Sequence, residues 1–126
     1  MANEQTPPNV DSSTVDPSNV DDVLPRLAAL IRSRRSASGD TSYTRQLLDG
    51  GAERCARKLG EEAIETVIAG IGQDAAALKA EAADLLYHLL VLLEARDVAF
   101  ADVLSTLGAR MRQSGLAEKS SRGRAG

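Results

Sequence analysis

The sequence predicts an all-α protein of about five helices gathered into a bundle core. Three observations carry this expectation. Apolar residues recur at intervals of three and four through the middle of the chain, the period of a helix with one buried face. All four prolines fall at or before Pro25, and proline in a helix interior costs about 3 kcal/mol. No stretch alternates apolar and polar residues as a half-buried strand would.

The elements follow in order. Residues 1–19 are rich in Ser, Thr, Asp, Asn and Pro, with little to bury, and are expected to form a disordered N-terminal extension. The domain is expected over 20–113, followed by a flexible basic tail over 114–126, where Glu118 faces Lys119, Arg122 and Arg124. Val23, Leu24, Leu27, Leu30 and Ile31 mark a first helix from about 20 to 34. Asp21 and Asp22 suit its N-terminus, and Pro25 is tolerable only in its first turn. A loop, Arg34–Thr41, leads to Ser42, an N-cap for a short helix from Tyr43 to Asp49. Gly50–Gly51 breaks the chain before a long helix over about 52–70. Asp74 caps a fourth helix reaching about Arg96, Asp97 stands at the next junction, and a last helix covers about 99–112.

Composition removes several classes of function. With 126 residues, one Cys and one His, the chain can form no internal disulfide and no zinc site of the usual ligand sets. No apolar run approaches the roughly 20 residues of a membrane helix. The N-terminus (MANEQTPPNV) lacks the basic and apolar regions of a signal peptide, which makes a cytoplasmic protein the expectation. The net charge of −3 and the scarcity of aromatics give no argument for nucleic-acid binding.

The two long helices carry the chemistry. On the third, Leu59, Ala63, Ile64, Val67, Ile68 and Ile71 share one side, expected to be core. Arg54, Lys58, Glu62 and Glu65 border it. On the fourth, leucines cover most of the circumference, so this helix is expected to be central. Yet Glu81, Asp84 and His88 share one strip of it. Acids beside a leucine core are costly unless something favourable meets them.

Glu62/Glu65 and Glu81/Asp84 are each three residues apart, on neighbouring turns of one face. The short connection around Gly70–Asp74 makes the two helices antiparallel, with both pairs at similar distances from it. Four carboxylates can then converge. An all-oxygen set favours a hard cation, Mg²⁺ or Mn²⁺, and Mg²⁺ commonly bridges to a phosphate. The plainer alternative is a solvated acidic face, with Glu62 paired to Lys58. His88 is a satisfied border histidine or a phosphate contact, and Tyr87 lies off the strip as a packing or interface residue. Gly60 marks close packing or backbone access beside the acids. Cys55 reads as a small buried hydrophobe.

The strings SYTRQLL (42–48), KLGEEAIETVIA (58–69) and EAADLLYHLLVLL (81–93) resemble the phosphoribosyl-ATP diphosphatase family. These are the all-helical pyrophosphohydrolases of histidine biosynthesis, within the MazG-type group whose signature is ExxE, a spacer and ExxD. The resemblance covers about 20–112. It implies hydrolysis of phosphoribosyl-ATP to phosphoribosyl-AMP and pyrophosphate. It further implies Mg²⁺ held by Glu62, Glu65, Glu81 and Asp84, phosphate charge met by Lys58, and Ser42, Tyr43, Thr44, Tyr87 and His88 near the substrate. Glu61 or one of the metal carboxylates would be the base. Family members are homodimers with interleaved helices, so the bundle core would be completed by a second copy.

Two features depart from the family pattern. The loop before SYT reads SASGDT, without the proline expected there, and the polar extension exceeds what the family core needs. A separate cyclohydrolase would be expected for the next step. The alternatives are a MazG-type enzyme acting on other nucleotides, such as aberrant dNTPs, and a non-catalytic helical dimerisation module.

Overall fold

The computed structural model describes residues 20–125, with the backbone alone over 116–125. The expected N-terminal extension lies outside the described residues. Five helices follow one another: α1 (Val23–Ser36), α2 (Tyr43–Asp49), α3 (Gly51–Gly72), α4 (Ala75–Ala95) and α5 (Phe100–Ala125). No strand occurs among the described residues.

Local chemistry accounts for most boundaries. The Ser42 side chain accepts from the Arg45 backbone N–H at 3.1 Å and starts α2. Asp74 does the same for α4, accepting from the Ala77 N–H at 2.9 Å. Asp22 precedes α1 without a side-chain cap, and Pro25 falls in the first turn. Gly50 closes α2, and Gly51 turns the chain into α3 at φ 85°, a left-handed conformation that favours glycine. The last helix runs beyond its expected end near residue 112 to Ala125. No proline interrupts it, and Ala, Glu, Lys and Arg favour helix there.

The end of α4 is tied back to α1. The Val98 N–H bonds to the Leu93 carbonyl at 2.9 Å, and the Asp97 N–H to the Glu94 carbonyl at 3.1 Å. This is a Schellman closure with Asp97, at φ 57°, in the place usually held by glycine. Arg35 from α1 reaches across to both acids, 2.6 Å to Asp97 and 2.8 Å to Glu94. Its guanidinium holds the Asp97 carboxyl below the usual carboxylate range.

Helix α4 is central, packed by α1, α2 and α3. Ile31, Leu47, Cys55, Leu90 and Val91 form the buried cluster, drawn from four helices. Leu24, Leu27, Leu48, Tyr87, Leu93 and Phe100 close around it. Cys55 is inside, as a small hydrophobe would be, with its thiol donating to the Leu47 carbonyl at 3.2 Å.

The apolar arc of α3 departs from expectation. Ile64, Val67, Ile68 and Ile71 are exposed, at 62%, 58%, 53% and 83%, and so are not core within one chain. The reason is which edge of α3 meets α4. Thr66 contacts the α4 backbone, Ala69 is buried, and Gly70 stands near Leu78. This small-residue edge lets the helices close, and it turns the larger apolar residues outward. Gly60 has open space where a side chain would begin, so close packing within the chain does not explain it.

Leu47 is fully buried and anchors α2 to the core. Leu47→Ala is expected to cost about 2–5 kcal/mol, the range for truncating a core leucine, read from the urea-unfolding midpoint.

Candidate active site

The antiparallel α3–α4 pair brings acids from both helices together. One carboxylate oxygen each of Glu62, Glu81 and Asp84 lies within 4.8 Å of the others. Glu62 and Glu81 are half-buried, and Asp84 is exposed. Glu65 stands near enough to Glu81 for its charge to act on that carboxyl, outside the group of three. Burial, first, and then the neighbouring charges of Glu65, Glu62 and Asp84 push the Glu81 carboxyl above its ordinary range. One Oε1 atom of Glu62 and one of Glu81 are buried without any hydrogen-bond partner.

The cations nearby do not neutralise this cluster. Lys58 bonds to Glu61 at 3.0 Å, one residue short of the Glu62 partner that spacing also allowed. The contact raises the lysine's pKa, Glu61 being the main cause, so Lys58 stays charged at the border of the site. Glu61 is thus turned toward Lys58, outside the group formed by Glu62, Glu81 and Asp84.

A second layer joins α2 to α4. His88 is buried, and its Nδ1 lies 2.9 Å from the Asp84 carbonyl. A carbonyl only accepts, so Nδ1 carries the proton. Nε2 is then free to accept from the Tyr43 hydroxyl at 3.2 Å. The Thr44 and Tyr87 hydroxyls are hydrogen-bonded to each other. Tyr43 and Tyr87 lie nearly parallel, with ring centroids 6.3 Å apart, and each meets His88 edge-on. Tyr87 is therefore half-buried in the aromatic group, where spacing alone had left it as packing or interface. Ser42 acts from the backbone side, capping α2, and its own N–H donates to Asp40 at 2.8 Å.

One residue at the site carried no signal in the sequence. The Thr66 hydroxyl lies between the Glu62 carbonyl, at 2.8 Å, and the Glu81 carbonyl, at 3.2 Å. A threonine inside a helix is unremarkable by pattern, and the second acceptor belongs to another helix.

The chain is all-helical among its described residues and sets ExxE on one helix against ExxD on the next, as the sequence resemblance implied. Comparison with known families narrows this. Residues 24–111 match the phosphoribosyl-ATP pyrophosphohydrolase family model. A phosphoribosyl-ATP pyrophosphatase of Cereibacter sphaeroides is 54% identical over 101 residues, covering 80% of this chain and 98% of the relative. Phosphoribosyl-ATP pyrophosphatase 1 of Bradyrhizobium diazoefficiens is 58% identical over 96 residues, 76% of this chain and 91% of the relative. The Nitrobacter hamburgensis phosphoribosyl-ATP pyrophosphatase is 55% identical over 98 residues, 78% and 92% of the two chains. The chain belongs to the phosphoribosyl-ATP pyrophosphohydrolase family.

The crowding of acids gives a pH-dependent prediction. The folded-state pKa of Glu81 lies above its unfolded value, so ionising it in the folded state opposes folding as pH rises. Without metal, Glu81→Gln is expected to melt above wild type at pH 7. The gap should narrow as pH falls through the carboxylate range and both proteins hold a neutral side chain, as scanning calorimetry against pH would show.

Proposed function

We propose that this chain hydrolyses phosphoribosyl-ATP to phosphoribosyl-AMP and pyrophosphate, the reaction its family name describes, and so serves histidine biosynthesis. Glu62, Glu65, Glu81 and Asp84 would hold Mg²⁺, with Mn²⁺ as a substitute. The observation that carries the metal assignment is the pair of buried, unpartnered Oε1 atoms on Glu62 and Glu81, beside Asp84. A buried carboxylate oxygen without a donor is costly, and a hard divalent cation answers an all-oxygen set of this kind.

Bound there, Mg²⁺ supplies Lewis-acid polarisation of the phosphate oxygens and acidifies a water. The chain's own groups do the rest. Lys58 brings positive charge to the border of the acid cluster, where phosphates of the substrate need it. Tyr43, with its hydroxyl held by His88, and Thr44, held by Tyr87, form a fixed polar and aromatic wall along α2. Hydrolysis adds the oxygen of water to one phosphorus and breaks the bridge between the α and β phosphates. Pyrophosphate leaves, and the water's proton passes to a carboxylate. Two positions qualify for that proton: Glu61, already bonded to Lys58, and a member of the acid cluster.

The working unit we propose is a homodimer. Ile64, Val67, Ile68 and Ile71 on α3, with Leu78 and Leu86 on α4, leave a run of apolar residues exposed, and a second copy would cover it. We propose a cytoplasmic site of action, which a nucleotide substrate of amino-acid biosynthesis supports. No helix among the described residues is long and apolar enough to cross a membrane.

Pyrophosphate release from phosphoribosyl-ATP, compared with a panel of dNTPs, tests the reading. Turnover should require Mg²⁺ or Mn²⁺ and favour phosphoribosyl-ATP. Preference for a dNTP would move the assignment to another nucleotide, and absence of any turnover would leave a dimerisation module. Glu62→Gln and Asp84→Asn are each expected to abolish Mg²⁺-dependent turnover while leaving the oligomer intact. Ile68→Glu should shift the light-scattering mass from dimer to monomer; an unchanged mass would remove this face from the interface.

A further inference from the structure

We propose that Thr66 is a positioning residue for the carboxylate site, its hydroxyl fixing the α3 backbone at Glu62 against the α4 backbone at Glu81. The inference rests on the reading that these carboxylates hold a divalent cation. Thr66 Oγ1 lies 2.8 Å from the Glu62 carbonyl and 3.2 Å from the Glu81 carbonyl. A hydroxyl has one proton, so the two acceptors share it. Both acceptors belong to the residues whose carboxylates each bury an unpartnered oxygen. The tie is therefore made at the two backbone positions from which the opposed side chains start.

The contact goes beyond helix habit. Threonine inside a helix commonly bonds to the carbonyl four residues back, and Thr106 on α5 does this with Asp102 at 3.0 Å. Thr66 makes the same bond and adds an acceptor on a different helix. Around it, α3 meets α4 through Ala69 and Gly70. Small apolar residues bring helices close but do not resist sliding along each other, because their packing is not directional. Glu62, Glu65, Glu81 and Asp84 repel one another and favour such movement when no cation is bound. The Thr66 hydrogen bond is directional and opposes it.

Partners that orient metal ligands alter affinity about 10–100-fold when removed. The test is Mn²⁺ titration of the full chain, followed by electron paramagnetic resonance of the free ion. Thr66→Val keeps the shape and removes the hydroxyl, and Thr66→Ser keeps the hydroxyl and removes the methyl. Thr66→Val should weaken Mn²⁺ binding at least about tenfold, and Thr66→Ser should bind as wild type does. Should Thr66→Val fail to fold, Thr66→Ala takes its place with the same expectation. Wild-type affinity in the hydroxyl-free variant would overturn the proposal, as would a Ser variant as weak as the Val variant, since packing alone would then matter. If wild-type protein binds no Mn²⁺, the cation reading falls and this proposal with it. Binding in wild type with no loss in Thr66→Val removes Thr66 alone.

Discussion

The site depends on one contact, the antiparallel closure of α3 on α4. Glu62, Glu81 and Asp84 lie along this seam. Its geometry is possible because the facing edge of α3 carries Thr66, Ala69 and Gly70 where larger residues would hold the helices apart. Closure has an electrostatic cost. It buries the Glu81 carboxyl and sets Glu62 and Glu65 against Glu81 and Asp84, and burial first, then those charges, raise the Glu81 pKa. Stability there is given up to keep four carboxylates near one another.

The short helix α2 is the second support. It is held by Leu47 in the core and by hydroxyl contacts to α4 on its outer side. The loop before it is secured by Arg34 and Arg45, which reach Asp40 and the Ala37 carbonyl. Tyr43 and Thr44 consequently face His88 and Tyr87 of α4. His88 links these residues to the acid cluster, because the carbonyl it binds is that of Asp84.

Much of this was legible in the sequence, for local reasons. Ser42 and Asp74 cap helices because a short polar side chain reaches backbone N–H groups two or three residues on. The two acid pairs could be placed because a helix puts residues three apart on one face and a short turn reverses its direction. Legibility ended where partners lie far away in sequence. Thr66 owes its importance to a carbonyl on α4. Asp97 adopts a left-handed conformation that pattern assigns to glycine or asparagine, and Arg35 on α1 meets its side chain. The apolar character of Ile64, Val67, Ile68 and Ile71 was plain, but not that α4 would take the opposite edge and leave them outward. The last helix ran past its expected end because glycine and basic residues resemble a tail, although nothing among them stops a helix.

Cys55 took no part in the chemistry, and that gives it another use. It is the only thiol in the sequence, it is about 1% exposed, and burial raises its pKa. Both properties protect it from reagents that attack thiolates. Because it is enclosed by Ile31, Leu47, Leu90 and Val91, the core around it must open before a reagent can arrive. The labelling rate of this one sulfur is therefore a built-in clock for local opening.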